Sequence, residues 1–541
     1  MSRYAICVAA ACALLGVVAA GAEQPAPLVF ADVTESSGLV PHLAEALNHG
    51  VAWGDFDGDG RPDLFLGNFC DRAAKGAGKP LGTIPNRLFR QTPDGKFIHV
   101  PMPSVETRGR TSGAALADLD NDGDLDLYVN NNTHARRPDV PARKEPSALY
   151  RNDGGQFVNV SKECGACPED GAFGRDVAVF DYDGDGLLDL FVVEDKVFRP
   201  KAHSRLYRNL GGLKFEDVTD KVGLPEDLDG FGIAVGDLNG DDRPDFFICG
   251  MTARLMLSQP GSKFKEADGL RELFNIRSRN AEEYVCGAAI ADIDNDGDLD
   301  LIIGTHYVDS RIRVYLNEGL KDGVPQFRNI TRELGVPALP TKAPMCAVAD
   351  FDNDGLPDLY WSAWFVDATK RQPFICRGLG PRDGLPRFAV PSLDGLDMRL
   401  LKRNGVAEGK RGMVYYVDGP PVDYDGDGRL DFFAGAWPEE GSRLYRNETP
   451  ARNNWLEVRV VGKMMNRMGI GAKVRATEAG KLLGYRELTI NSGYSGTGLP
   501  AAHFGLGERR TVDIEVRIPG RPDPLRFPGV AANQRFVVSE P

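Results

Sequence analysis

The chain is short of positive charge, of histidine and of long apolar runs. Its 541 residues include 64 Lys or Arg against 78 Asp or Glu, a formal net charge of −14, and only seven histidines. Phosphate recognition needs clustered Lys and Arg, so the deficit excludes a nucleic-acid partner. Past the N-terminus no segment reaches the roughly 18 apolar residues that cross a bilayer, which argues against a membrane span. G-x-S-x-G, H-E-x-x-H and other nucleophile signatures are missing. "CGAC" at Cys164–Cys167 has redox spacing but no thioredoxin-like βαβ pattern around it, so a local disulfide or two unrelated thiols suits it better than catalysis. No second Cys/His pair stands at finger-like spacing, which argues against zinc.

The first 25 residues read "MSRYAICVAAACALLGVVAAGAEQP". One positive charge precedes an apolar run from Ala5 to Ala20, and small residues at Ala20–Ala22 precede Glu23. Residues 1–22 are therefore expected to be a secretory signal peptide, and the protein secreted, periplasmic or at the cell surface. Seven cysteines would remain (Cys70, Cys164, Cys167, Cys249, Cys286, Cys346 and Cys376), an odd number that leaves at least one thiol free or intermolecular.

What the chain has in abundance is aspartate at fixed spacing. A nine-residue motif recurs seven times, with starts 63, 63, 56, 55, 58 and 73 residues apart, and it holds 30 of the 78 acidic residues. A period of this size marks a repeat architecture. Around each motif lie short apolar strands: one before ("GAALADL"), one after ("LYVNN"), a third ("ALYRN") and usually a fourth ("FVNVS") beyond a Gly-rich turn. Four strands with turn signals between them make one antiparallel sheet. The last unit stops at "RLYRNETPARNN" without a fourth strand, while the N-terminal "PLVFADVTESSGL" matches the missing one. A donated strand would close a ring and protect its edge, so the expectation over residues 28–450 is an all-β, seven-bladed β-propeller. A linear solenoid is the alternative, and it would leave both ends needing caps.

The motif offers side-chain oxygens at positions 1, 3, 5 and 9, with Gly at position 6 for a sharp turn, and calcium takes six to eight oxygen ligands. The quartets are Asp55, Asp57, Asp59, Asp63; Asp118, Asp120, Asp122, Asp126; Asp181, Asp183, Asp185, Asp189; and Asp237, Asn239, Asp241, Asp245. They continue as Asp292, Asp294, Asp296, Asp300; Asp350, Asp352, Asp354, Asp358; and Asp423, Asp425, Asp427, Asp431. An EF-hand would need Glu at position 12, but that residue is always apolar here, so position 9 must close the site. Solvated acidic turns would not require Asp at position 9 in every copy. Up to seven structural calcium ions are expected, with the fourth loop weakest: Asn239 replaces a carboxylate and Asp242 the turn glycine.

With these loops inside four-stranded units, the chain resembles the FG-GAP/VCBS repeat proteins, the propeller type of integrin α-subunits. That resemblance implies calcium on the same loop carboxylates. The tail, residues 453–541, resembles the ASPIC/UnbV domain in "NNWLEVRVVG", "NRMGIGAKVRAT", "HFGLGE" and "GVAANQRFVV". The combination is similar to bacterial members of the cartilage acidic protein family. Read without the resemblance, the tail still alternates Val512, Ile514, Val516 and Ile518 with charged residues, the pattern of a half-buried sheet, and gives a small β domain.

In a propeller the acidic 1–2 turns share one face, and the 2–3 and 4–1 connections lie on the other. His134, His203 and His306 fall in equivalent 2–3 segments, and Arg136, Trp364 and Trp437 lie in the same kind of segment. These six are the expected ligand face, since long loops on a rigid scaffold carry function. Two functions follow from this arrangement. One is an exported binding or adhesion scaffold for an extracellular protein or glycan; the other is a polysaccharide hydrolase or lyase on the same face. Acid–base work needs positioned carboxylates, and nearly every carboxylate cluster is assigned to metal, which favours binding.

Overall fold

Every acidic motif turns the chain between two buried strands. In the second repeat Thr111–Ala117 runs into the motif and Asp126–Asn131 leaves it antiparallel, with Ala117 opposite Asp126 and Ala115 opposite Tyr128. Ala148–Asn152 and Phe157–Asn159 complete the sheet in sequence order. Both faces of the first two strands are covered, which is why they read as continuous apolar runs. The fourth strand is only half covered: Val158 is exposed beside buried Phe157.

The computed structural model describes residues 27–43, 46–69, 84–132, 145–168, 174–196, 203–274, 284–306, 312–367, 370–396, 411–435 and 441–541. The expected signal peptide lies outside these residues, as do Cys70, His134, Arg136 and Trp437. Among the described residues, sheets of this plan span 48–100, 111–159, 174–217, 232–266, 285–329 and 346–389. A seventh joins Val417–Asp418, Phe432–Gly435 and Arg443–Asn447 to Phe30–Asp32 from the other end of the chain, with Phe30 opposite Asn447. These sheets are called blades 1 to 7 below. Blade 6 carries one extra strand, Gly412–Tyr415, on Asp358–Val366.

One apolar cluster fills each gap between successive blades. Ala52, Phe65 and Leu88 of blade 1 meet Ala114, Leu127 and Tyr150 of blade 2. Further round, Val51, Trp53 and Phe89 of blade 1 meet Tyr424, Phe433 and Leu444 of blade 7, so the sheets close on themselves as a β-propeller. At the axis the inner strands touch backbone to backbone. A Cβ on Gly113 would lie 2.9 Å from the Cα of Asp176, a distance only glycine permits.

The C-terminal strands build a separate core. Ala502–Gly507, Asn454–Val461 and Gln534–Ser539 form one sheet; Lys481–Glu487, Lys473–Glu478, Thr511–Arg517 and Leu525–Ala531 form the other. Leu456, Val458, Val474, Ile514, Val516 and Val538 are buried between them. This unit sits on the loop-bearing end of the ring and sends residues 489–498 down the axis. There the Asn491 side-chain amide exchanges hydrogen bonds with the backbone of Val179 at 3.0 and 3.2 Å. Ser495 accepts from Val51 N, and Gly496–Thr497 pairs in parallel with Val51 and Ala52. Tyr494 is buried at the far end of the hairpin, its hydroxyl 3.3 Å from His49 Nε2. No helix among the described residues is long and apolar enough to cross a membrane.

Candidate metal loops and the face that carries them

The seven loops share one internal wiring. Position 1 accepts the N–H of position 6 at 2.7–3.1 Å, which folds the turn around its carboxylate. Position 5 accepts the N–H of position 7 at 2.8–3.0 Å. Position 4 has positive φ throughout, as Gly58, Gly184, Gly240 and Gly426 or as Asn121, Asn295 and Asn353, residue types that tolerate left-handed backbone. Where it is Asn, the side chain also reaches the next loop: Asn121 Nδ2 donates to Gly186 O at 2.9 Å, and Asn353 Nδ2 to Gly428 O at 2.8 Å.

Position 9 does more than the sequence suggests. In every loop one of its oxygens accepts the N–H of position 2 at 2.9–3.3 Å. The other accepts an N–H of the third strand at 2.7–2.9 Å. These aspartates are therefore loop-to-strand staples as well as neighbours of the candidate ion site. Burial, with neighbouring carboxylates adding to it, pushes Asp63 and Asp126 up to about 8. Burial likewise raises Asp292, Asp350 and Asp423 to about 7 and Asp118 and Asp181 to about 6.

Position 3 is the informative one for a metal. Asp57, Asp120, Asp183, Asp294 and Asp352 each bury an Oδ1 that has no hydrogen-bond partner. In three of these five loops an arginine takes the outer oxygen instead, as Arg208 does with Asp183 Oδ2 at 2.7 Å and Arg90 with Asp57 Oδ2 at 3.7 Å. The inward oxygens gather with their neighbours: Asp55/Asp57/Asp63, Asp118/Asp120/Asp122, Asp181/Asp183/Asp189, Asp292/Asp294/Asp300 and Asp350/Asp352/Asp358 each bring ligand oxygens within 4.8 Å of one another. A buried anionic oxygen without a donor is costly unless a cation meets it. All-oxygen clusters of this kind fit calcium.

Two relationships were not read from the sequence. First, an amide ending the third strand latches five of the blades to the one before. Asn152 Nδ2 donates to Phe56 O at 2.8 Å, Asn209 to Leu119 O at 2.6 Å and Asn447 to Phe351 O at 2.8 Å. The recurring final Asn of "ALYRN" and "RLYRN" was the available signal. Second, the C-terminal unit aims cations at the loops. Arg467 lies 3.9 Å from Asp118 and Arg535 3.7 Å from Asp423, while half-buried Arg486 faces both Asp292 and Asp350. In loop four Lys473 Nζ contacts Asp237 directly.

The expected ligand face needs correction at one residue. Trp364 is not exposed: its strand runs on to Val366, paired with both Arg371–Gly378 and Gly412–Tyr415, and the indole is buried with Nε1 donating to Asp418 Oδ2 at 3.1 Å. His306 is held largely out of solvent, stacked 6.0 Å from Tyr284, and burial together with Lys342, Arg175 and His49 keeps it well below the usual histidine range. His203 is half-buried, two residues before the third strand of blade 3 begins at Arg205. The six described cysteines, including Cys164 and Cys167, are free thiols.

The chain carries FG-GAP-like repeats at residues 55–129 and 292–361 and an ASPIC and UnbV domain at 462–541. It is homologous to cartilage acidic protein 1: the Xenopus tropicalis protein is 24% identical over 92% of this chain and 74% of its own length. Integrin alpha-V of Gallus gallus is 28% identical over 38% of this chain and 21% of that protein. Among solved structures, the rhamnogalacturonan lyase YesW aligns with a TM-score of 0.39 and 13% identity, over 74% of this chain and 72% of the lyase.

Proposed function

From a β-propeller with FG-GAP-like repeats, homologous to cartilage acidic protein 1, we propose an exported binding scaffold. Calcium in the acidic loops holds seven blades together, and the face away from those loops recognises a protein or glycan outside the cell. One observation carries the choice of face. The C-terminal unit covers the loop-bearing end through Arg467, Lys473, Arg486 and Arg535, and its hairpin fills the axis.

The far end begins where the inner strands begin and the second strands stop. Around the axis there, Arg110 lies 4.0 Å over the Phe69 ring, and His49 stacks on the same ring at 4.3 Å. Tyr284 stacks between Phe231 and His306, and Lys342 lies 5.4 Å over Tyr415. Arg110, Phe69, His49 and Phe231 are buried and floor this end, while half-buried Tyr284 and Tyr415, with Lys342 beside the latter, offer aromatic rings and a cation that suit sugar rings and acidic side chains. Bound calcium would supply the charge that the buried carboxylates lack. Asp57, Asp120, Asp183, Asp294 and Asp352 would turn their inward oxygens to it.

The test uses the full chain on a glycan array and a secreted-protein panel, with calcium and with EDTA. Lys342→Glu on the far face is expected to abolish the captured interaction. Met464→Glu, at an exposed position of the C-terminal unit (78% accessible), is expected to leave it unchanged. The reverse pattern overturns the choice of face.

A further inference from the structure

We propose that loop four takes no metal ion, because the ammonium of Lys473 already neutralises its position 1 carboxylate and makes this loop a calcium-independent clamp for the C-terminal unit. The inference rests on the reading that the other loops bind calcium, and four features of loop four depart from them together.

At position 3 five of the other loops place an aspartate with an orphaned inward oxygen, and in loop seven Asp425 keeps the carboxylate while its Oδ1 accepts Asp427 N at 3.3 Å. Here the residue is Asn239, neutral, and its Oδ1 already accepts Asp241 N at 3.2 Å. At position 6 the others have glycine. Here Asp242 occupies a left-handed turn at φ 64°, and its carboxylate points to the C-terminal unit, accepting Lys473 Nζ at 2.7 Å and Arg517 Nε at 3.0 Å. At position 1 Asp237 is paired with the same Lys473, whose side chain is only 10% exposed. The backbone N–H of Asp237 is taken as well, donating to Glu487 Oε2 at 2.9 Å.

These partners are not scattered. Lys473 is the register partner of Glu487 on one neighbouring strand and of Arg517 on the other. One row across the sheet thus presents an acid and two bases to loop four: the acid to a donor, the bases to two carboxylates. At loops two and seven the arginines stand off at 3.9 and 3.7 Å from position 1, and the position 6 glycine adds no charge. A lysine in contact with both carboxylates supplies the positive charge that Asp237 and Asp242 need, so the loop is held to the C-terminal unit without an ion.

The test pairs calcium stoichiometry with hydrogen exchange on the full chain. Native mass spectrometry is expected to count one ion fewer than there are loops, and Asn239→Asp/Asp242→Gly/Lys473→Met to gain one. In EDTA, loop four is expected to keep its protection while the other loops lose theirs. Lys473→Met should then speed exchange at residues 237–245 by about tenfold or more. An ion in wild-type loop four, or protection there that falls with EDTA and ignores Lys473→Met, overturns the clamp. If no loop responds to EDTA, the calcium reading fails, and the Lys473→Met arm still decides the clamp. Should Lys473→Met not fold, Asp242→Gly removes the same anchor with the residue that other loops use.

Discussion

The side-chain amide of Gln91 donates to the carbonyl of Tyr424 at 2.8 Å, across 333 residues of sequence. Gln91 ends the third strand of blade 1, and Tyr424 is position 2 of the loop in blade 7. The bond is the same latch that Asn152, Asn209, Asn317 and Asn447 make elsewhere, here used to close the circle. Blades 4 and 6 have Ser258 and Gly378 at this place, and their joints to the preceding blade carry other bonds instead, Ile233 N to Asp176 Oδ2 at 3.4 Å and Trp361 Nε1 to Ile303 O at 3.3 Å.

Gln91→Leu keeps the volume and removes the donor, leaving the Tyr424 carbonyl buried without that partner. The expected loss is about 1–3 kcal/mol of stability. Chemical denaturation of the full chain measures it, and Gln91→Asn, which installs the residue that makes this latch in four other blades, should lose much less.

Positions 3 and 9 should separate by their calcium dependence. Asp126→Asn replaces an acceptor facing a backbone N–H with a donor, and is expected to cost about 1–3 kcal/mol with or without calcium. Asp120→Asn removes a buried, unpaired negative charge, and should leave the calcium-free protein as stable or more so while reducing what calcium adds. Thermal melts of both variants in EDTA and in calcium decide between these outcomes.

Chelation should lower the melting temperature of the wild type. Each site in hundredfold excess of its ligand adds about 2.7 kcal/mol, and extracellular calcium modules work near 10⁻⁴ to 10⁻³ M. The gain should therefore appear over millimolar calcium, and magnesium, which keeps its waters, should give much less of it.

Asp418 sets a pH dependence away from the loops. Burial holds its carboxyl up at about 7, against an ordinary 3.8, although Tyr360 and Trp364 donate to it. The folded state therefore keeps a proton that the unfolded chain gives up. Its contribution is fully present below about pH 4 and is lost as pH rises through about 7. Asp418→Asn should flatten this slope, by an amount on the order of a few kcal/mol, in denaturation curves taken between those limits.

The repeat, the strands around it and the ligand quartets were legible because each lies within a few consecutive residues. The latch was half legible: the Asn of "RLYRN" recurs in plain view, but its partner is a backbone carbonyl one blade away, with no residue identity to mark it. Trp364 misled for a related reason. "SAWFVDATKRQ" ends like a loop, yet Arg371–Gly378 pairs with it out to Val366 and the distant strand Gly412–Tyr415 covers its other edge. The docking of Lys473 on Asp237 joins residues 236 apart, and nothing local in either segment announces it.

The hairpin at residues 489–498 also has a bearing on time. Blade 1 is made first, yet its inner strand, paired with Asp63–Asn68 on one edge, gains its partner on the other edge only from Gly496–Thr497, near the end of the chain. Blade 7 likewise waits for its own last strand to meet Phe30–Asp32, the earliest strand described. A ribosome would finish nearly the whole polypeptide before either contact could form, so the ring matures after synthesis rather than during it. A chain translocated unfolded would lose nothing by that delay.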